Sequence, residues 1–224
     1  MTGGVTYAGA GQRPRQARSE DTRTLILEAA VACLAEEGYA AATTLRIQAR
    51  AGVSRGRLLH HFPSRDVLLV AAAQHLASVG MAETEQWALT SLAGRPGGRR
   101  RTDRATELLW MTLRQPCFWA AMELWIAART NPELREFLRP EEHRLGTAIR
   151  QVVAVLYGPA VSVHPRFPEV RDLLFTSMRG VALTYAFEDR DPDADRHLPL
   201  WKGLAATLLE PTPLETPLET ENDA

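Results

Sequence analysis

Five arginines and two adjacent histidines lie within the 24 residues from Thr43 to Asp66, where Asp66 is the single acidic residue. Guanidinium and imidazole groups at this density suit a polyanion, because they can neutralise phosphates and an arginine can pair with the edge of a guanine. The whole chain has 26 Lys and Arg residues against 27 Asp and Glu residues, and a formal net charge of −1. The positive charge is therefore local, and it predicts a nucleic-acid surface confined to this segment.

Two short helices are predicted to position these cations. The first begins at Thr43 or Thr44 and ends at Ala51, where Gly52 closes it, and the second runs from Ser54 to about His61. The hydroxyl of Ser54 can cap the second helix, and Pro63 prevents its continuation. Two helices of this length joined by a tight turn have the dimensions of a helix-turn-helix, whose second helix enters the major groove of DNA.

The second helix should turn one side chain inward and the others outward. Val53 would pack between the two helices, and Leu58, four residues after Ser54, would point into the core. Four side chains would point toward solvent or DNA: Arg55, Arg57, Leu59 and His60. A metal site at His60 and His61 is not expected, because adjacent residues of a helix point about 100° apart and no third ligand is near.

The rest of the chain also favours helices, since it lacks the period-2 alternation and hairpin turns of strands. The predicted fold is all-α, with an N-terminal three-helix DNA-binding domain followed by a helical ligand-binding and dimerisation domain. Further helices are expected at residues 19–37, 64–92, 104–129 with a break at Pro116, 132–157, 168–187 and 199–209. The expected domains are a disordered basic arm (1–18), the helix-turn-helix domain (19–66), the regulatory domain (67–209) and a disordered acidic tail (210–224), with an exposed loop at 93–101.

Several function classes are disfavoured by composition. No run approaches the roughly 20 apolar residues of a membrane span, and no apolar leader follows the first Met, so a cytoplasmic protein is expected. Cys33 and Cys117 lie far apart in apolar surroundings, which favours reduced thiols over a disulfide or a metal site. No cofactor is expected.

The run ATTLRIQARAGVSRGRLLHHFPSRDVLL resembles the DNA-binding signature of the TetR family of transcriptional repressors. The resemblance covers about residues 20–80. The matching positions are Thr43, Ile47, Ala51, Gly52, Val53, Ser54, Gly56, Leu58, His61, Phe62, Ser64 and Leu68. Four positions depart from the pattern: Thr44 replaces an apolar residue, Gln48 an alanine, Leu59 a phosphate-binding tyrosine, and Arg65 a phosphate-binding lysine.

The resemblance implies a role for each residue of the interface. Thr43, His61 and Arg65 would bind phosphate, whereas the outward cations of the second helix would face bases or the adjacent backbone. Among these, Arg57 is the preferred candidate for direct readout of a guanine. The complete expected interface is Thr43, Thr44, Arg46, Ser54, Arg55, Gly56, Arg57, Leu59, His60, His61 and Arg65.

The resemblance also implies a small-molecule effector, bound within the helical body, that releases the protein from a double-stranded operator. A mainly apolar pocket suited to an aromatic or amphipathic ligand is expected from Trp110, Gln115, Phe118, Trp119, Met122, Glu123 and Trp125. Each of these side chains could instead be plain core. A homodimer reading a pseudo-palindromic operator is expected to pack through Leu174, Ser177, Met178, Val181, Leu204 and Leu208.

Two other functions compete with a DNA-binding regulator. An enzyme would have to use Glu123 and His143, but no nucleophile elbow, phosphate loop or metal spacing accompanies them. The acidic run at 189–195 lacks the glycine and glutamate of a calcium loop and fits a solvated turn. A helical adaptor that binds other proteins would show no salt-dependent binding to DNA.

Overall fold

A computed structural model describes residues 12–91 and 98–209, and every regular element in these two ranges is helical. The helices are α1 (Gln12–Ala41), α2 (Thr44–Ala51), α3 (Arg55–His61), α4 (Arg65–Ser91), α5 (Arg99–Thr112), α6 (Pro116–Ala128), α7 (Pro132–Tyr157), α8 (Pro159–Ser162), α9 (Phe167–Thr184) and α10 (His197–Leu208), with a 3₁₀ turn at Pro192–Ala194. The all-α prediction is confirmed. Most of the predicted basic arm, most of the predicted loop at 93–101 and the acidic tail lie outside the described residues.

The helix α7 begins and ends where the sequence predicts. The side chain of Asn131 accepts a hydrogen bond from the backbone N–H of Leu134 at 3.1 Å, which caps the first turn behind Pro132. At the other end, Gly158 has a φ of +84°. Glycine is the residue that adopts this conformation without strain, so the helix stops before it.

Two helices begin earlier than expected. The backbone is helical from Gln12 rather than from Ser19, because Pro14 falls in the first turn, where its missing N–H costs no hydrogen bond. Helix α5 begins at Arg99 rather than at 104, so the last three arginines of the predicted loop belong to a helix. Arginine is a good helix former, and the turn signal of the preceding glycines ends at Gly98.

The chain divides into two compact units, and the division differs from the predicted boundary at residue 66. Among the described residues, the first unit holds 12–84 together with Arg114–Arg150, and the second holds 85–91, 98–113 and 151–209. Helices α6 and the first part of α7 therefore belong with the helix-turn-helix and not with the rest of the predicted regulatory domain.

The core of the first unit draws on α1, α2, α3, α4, α6 and α7. It includes Ile26, Leu27, Leu34, Ile47, Leu58, Leu68, Leu69, Ala120, Leu124, Leu134 and Leu138, each nearly or fully buried. Helix α6 packs against α1 through the side that carries Ala120, Leu124 and Ala128. The spacing of four residues places these three side chains on one face of the helix.

One stretch of α4, Arg65–Gln86, is long and apolar enough to cross a membrane by length and composition alone, contrary to the sequence-based expectation. Its residues Leu68, Leu69, Ala72 and Ala73 are buried in the core of the first unit. That packing accounts for part of the apolar composition of this helix.

In the second unit, α10 packs against α5 and α9. The indole of Trp110 stands 5.1 Å from the ring of Trp201, centroid to centroid, and its Nε1 donates to the carbonyl of Pro192 at 2.8 Å. The hydroxyls of Thr106 and Tyr157 are hydrogen-bonded at 2.9 Å. Burial raises the pKa of Tyr157 to about 12.

The acidic run at 189–195 is not the fully solvated turn that the sequence suggested. Asp195 is buried and accepts hydrogen bonds from the hydroxyl of Tyr185 at 2.5 Å and from the backbone N–H of His197 at 2.7 Å. Burial alone would raise its pKa, but these hydrogen bonds and the His197 ring hold the pKa of Asp195 below its usual value. This carboxylate therefore fixes the connection from α9 to α10.

The expected dimer residues divide between the core and the surface. Leu174 and Met178 are fully buried within the single chain, so they pack inside it and cannot meet a partner. The other four, Ser177, Val181, Leu204 and Leu208, are half-buried. Periodicity could not distinguish the two apolar faces of α9, because an inner face and a partner-facing face carry the same kinds of residue.

Candidate nucleic-acid interface

Helix α2 is closed at both ends by residues that the sequence singled out. The hydroxyl of Thr43 accepts a hydrogen bond from the backbone N–H of Arg46 at 3.3 Å. At the other end Gly52 adopts a left-handed φ of +65°, and its N–H returns to the carbonyl of Ala49 at 3.3 Å. Ile47 is fully buried and anchors the helix. Thr43 itself is exposed, so its hydroxyl hydrogen stays available to a phosphate.

Helix α3 follows after a three-residue turn and has one buried side chain, Leu58. Ser54 caps it by accepting from the N–H of Arg57 at 3.3 Å. Val53 packs against the core of the first unit. The helix ends at His61, because Pro63 disfavours helical backbone in its predecessor Phe62, which is extended.

Most residues on the outward side of α3 are exposed to solvent. Ser54, Arg55, Gly56, Arg57, Leu59 and His60 are all exposed, whereas His61 is half-buried. A Cβ added at Gly56 would meet no atom within 4 Å, so nothing in the chain's own packing requires a glycine there. Within the two described ranges, the guanidinium groups of Arg55 and Arg57 form no salt bridge and donate no hydrogen bond to an acidic side chain.

The arginines of α2 are paired with acidic side chains, unlike those of α3. Arg50 donates two hydrogen bonds to the carboxylate of Glu36, at 2.7 and 2.8 Å, and these hydrogen bonds lower the pKa of Glu36. Arg46 forms a salt bridge with Glu37. Both acids lie in α1, so the charge of α2 is largely compensated, whereas that of α3 is not. Thr44, the first residue of α2, is half-buried.

Arg65, expected at a phosphate, points back into the protein. Its Nε donates to the carbonyl of Ala42 at 2.8 Å, another of its N–H groups donates to the carbonyl of Tyr39, and its guanidinium lies 4.2 Å from the centre of the Tyr39 ring. Its carboxylate neighbour Asp66 accepts from the Tyr39 hydroxyl at 2.9 Å. Arg65 thus ties the start of α4 to the turn before α2.

The surroundings of His61 lower the pKa of its imidazole. Burial lowers its pKa, and the positive charges of His60, Arg23 and Arg57 lower it further. Arg23 of α1, which lies over the ring of Phe62 at 5.4 Å, is a cation of this surface that the sequence analysis missed. Its position on the first helix gave no signal, because the contact with α3 arises from tertiary packing.

The residues expected in a ligand pocket belong to two units of the chain. Trp110 lies in the core of the second unit, whereas Gln115 is exposed on the first unit at the start of α6. Phe118 and Met122 are buried, and Trp119 and Trp125 are half-buried. Phe118 and Met122 point to the side of α6 opposite Ala120 and Leu124, since a step of two residues turns a helix by about 200°. Glu123 accepts a hydrogen bond from the backbone N–H of Tyr39 at 2.8 Å.

A metal centre finds no support in the geometry. In residues 12–91 and 98–209, no three His, Cys, Asp or Glu side chains are arranged to hold a metal ion. Cys33 is buried and Cys117 half-buried, and both are free thiols. Burial raises the pKa of each thiol, which makes neither a ready nucleophile.

Comparison with known proteins points to the same surface. The family model "Bacterial regulatory proteins, tetR family" matches residues 26–84, which contain α2 and α3. The HTH-type transcriptional repressor AcnR of Corynebacterium efficiens is 32% identical over 142 residues, which make up 62% of this chain and 65% of the repressor. The chain therefore spans just under two thirds of the length of that relative.

Solved structures resemble the whole described fold. The multidrug binding protein EbrR complexed with ethidium superposes with a TM-score of 0.57 at 20% identity, covering 84% of this chain and 99% of EbrR. A transcriptional regulator from Saccharomonospora viridis in complex with choline gives a TM-score of 0.58 at 19% identity, covering 82% of this chain and 94% of the regulator. At such identities the likeness concerns the fold alone.

The family resemblance inferred from the sequence is confirmed, and so is the helix-turn-helix followed by helices. The family consists of DNA-binding transcriptional regulators and not of enzymes. Residues 26–84, which contain the helix-turn-helix, match the tetR family of bacterial regulatory proteins.

Proposed function

We propose that this protein is a transcriptional repressor that binds a pseudo-palindromic DNA operator as a homodimer and is released by a small ligand. The single observation that carries the DNA-binding part is the outer side of α3, where Arg55 and Arg57 are exposed and unpaired while Arg46, Arg50 and Arg65 are bound to the protein's own groups. A charge left uncompensated next to others that are neutralised is suited to an external phosphate.

The residues of the interface take two roles in this proposal. Thr43 and His61 contact phosphates at the edges of the groove, and Gly56 lets the DNA backbone approach closely. Arg57 reads a base, since its guanidinium fork can pair with O6 and N7 of guanine. Ser54 caps the helix, and Leu59 and His60 border the bases, with Leu59 supplying apolar contact in place of a hydroxyl. Arg65 acts by holding the turn before α2 and not as the phosphate ligand first expected.

The experiment that tests this function is selection of bound duplexes from a random pool with the purified full-length chain. Enrichment of a two-fold symmetric sequence, with half-sites one or more helical turns apart, would support the proposal. Recovery of unrelated sequences, or duplex binding that does not weaken with added salt, would favour a helical adaptor for other proteins. The proposal places the protein in the cytoplasm, with the DNA.

A dimer follows from the need for two half-sites, and we assign it to the outer side of α9 and α10. The exposed residues Leu173, Thr176, Gly180 and Leu183 recur at helical spacing along α9, and Leu200 is 66% exposed on α10. A Cβ at Gly180 would meet nothing within 4 Å, so a second helix can approach closely there. Ser177, Val181, Leu204 and Leu208 border this surface, whereas Leu174 and Met178 support it from inside.

The effector is proposed to act on α6, on the side that carries Phe118 and Met122, with Trp119 and Trp125 beside it. These side chains favour an aromatic or amphipathic ligand, and the ethidium of EbrR is of that kind, although that likeness extends to the fold alone. Tryptophan fluorescence titrated with a panel of aromatic cations and amphipaths tests the idea. An emission change accompanied by loss of operator binding would support it, and unchanged emission across the panel would contradict it.

A further inference from the structure

Helix α6 contains a single charged residue, Glu123, in the otherwise apolar sequence PCFWAAMELWIAA. Its carboxylate is directed at the turn formed by residues 38–43, where α1 kinks at Gly38 before α2 begins. There its Oε2 accepts the backbone N–H of Tyr39 at 2.8 Å. The two residues are 84 positions apart in the chain. Partly burying a carboxylate costs solvation free energy, and the hydrogen bond from the Tyr39 N–H offsets this cost.

The turn is shaped to receive this carboxylate. Gly38 has φ +80° and ψ 171°, which ends the regular part of α1 and points the next N–H away from the helix. A Cβ on Gly38 would lie 3.2 Å from Oε2 of Glu123, closer than side chains normally allow. Glycine therefore provides both the backbone conformation and the space that the carboxylate occupies.

The same turn is held from its other side by α4. Arg65 donates to the carbonyls of Tyr39 and Ala42, and Asp66 accepts from the Tyr39 hydroxyl. Burial and the hydrogen bond to Asp66 raise the pKa of Tyr39, so its hydroxyl remains a donor. Helix α2 begins two residues after Ala42, so the position of this turn sets where α2, and α3 behind it, are placed.

From this arrangement we propose that Glu123 is a positioning residue for DNA binding: its hydrogen bond to the Tyr39 N–H fixes the turn that places α2 and α3 for the operator. Glu123 touches no DNA in this proposal, which rests on the proposed function. Loss of the hydrogen bond lets the turn shift, and that misplaces the outward side of α3 against the bases. Binding to a random duplex depends on the protein's positive charge and not on how α3 is aligned with the bases, so random-duplex binding is retained.

Four variants of the full-length protein test the proposal on the selected operator and on a random duplex of equal length. Glu123→Ala removes the acceptor, and Glu123→Asp keeps the charge but withdraws it by one methylene. Both should weaken operator binding about tenfold, which corresponds to about 1.4 kcal/mol, and leave random-duplex binding within about twofold. Glu123→Gln keeps a carbonyl oxygen that accepts the same N–H, so it should bind the operator within about twofold of the original chain.

Glu136→Ala is the matched control, because Glu136 is an exposed glutamate on α7 of the same unit. It makes the same charge change and should leave operator binding unchanged. Thermal unfolding separates positioning from simple destabilisation, and if Glu123→Ala does not fold, the comparison of Glu123→Asp with Glu123→Gln decides. Equal operator binding by the Asp and Gln variants, or equal losses on operator and random duplex, would overturn the proposal. Failure of the unmodified chain to select any operator would instead overturn the proposed function.

Discussion

The contrast between paired and unpaired arginines makes a quantitative prediction about salt dependence. Arg55 on α3 is exposed and unpaired, whereas Arg50 on α2 donates two hydrogen bonds to Glu36 and Arg46 pairs with Glu37. An arginine that neutralises a phosphate releases counterions on binding, but one already neutralised by a carboxylate releases few. We therefore expect Arg55→Ala to flatten the salt dependence of DNA binding, and Arg46→Ala and Arg50→Ala to change it much less.

The size of the effect follows from the number of copies. Each lost phosphate contact lowers the slope of log K against log salt by about 0.9 for duplex DNA. A dimer presents Arg55 twice, so the slope should fall by about 1.8. Between about 50 and 200 mM salt this difference corresponds to roughly a tenfold change in the ratio of the two affinities. Arg55→Ala should thus lose most affinity at low salt.

Fluorescence anisotropy with a labelled operator duplex, repeated at four or more salt concentrations, measures these slopes directly. Arg50→Ala is the stringent control, because it removes the same charge from the neighbouring helix. If Arg46→Ala and Arg50→Ala flatten the slope as much as Arg55→Ala does, the salt bridges to α1 do not decide which arginines meet DNA. The assignment of the interface to α3 would then be refuted.

Four further outcomes are expected. Arg57→Ala should lower operator affinity by about 1–3 kcal/mol while random-duplex affinity changes far less, and equal losses would reduce Arg57 to a phosphate contact. Leu58→Ala should cost about 2–5 kcal/mol of stability in urea unfolding because Leu58 is fully buried, whereas Leu59→Ala, at 42% exposure, should change stability by less than about 0.5 kcal/mol. The lowered pKa of Asp195 stabilises the fold above pH about 4, and this stabilisation is lost as the pH falls through the lowered pKa. Asp195→Asn should therefore make the free energy of unfolding depend less on pH in acid. An unchanged pH dependence in acid would contradict this. Leu200→Asp should shift the protein toward monomer in sedimentation. Val163→Asp, at a site 78% exposed at the end of α8, is the control and should not. A dimer unaffected by Leu200→Asp would contradict an interface at α10.

Much of the helix-turn-helix could be predicted from sequence because its determinants are local. Thr43 and Ser54 cap their own helices, Gly52 ends α2, and Leu58 faces inward at the spacing of a helical turn. Each of these interactions joins residues within four positions of one another. Composition and spacing therefore suffice to place them.

The remaining features depend on contacts between distant parts of the chain. Glu123 was assigned to a ligand pocket because it lies among aromatic residues, but its partner is 84 positions away. Arg65 was assigned to a phosphate, yet the carbonyls that it binds lie 23 and 26 positions earlier. Leu174 and Met178 were expected at a dimer surface, although they face the inside of their own chain. Sequence periodicity identifies an apolar face but not what covers it.

The aromatic cluster of the second unit has a consequence for optical work on this protein. Trp110 and Trp201 are both buried there, with the imidazole of His197 stacked at 5.6 Å on Trp201, whereas Trp119 and Trp125 of α6 are half-buried. Indoles in dry surroundings emit at shorter wavelength than partly hydrated ones, so the emission band is a composite. A chain in which Trp87, Trp110 and Trp201 are replaced by phenylalanine would keep only the indoles of Trp119 and Trp125, and a spectral shift on titration could then be assigned to the neighbourhood of α6.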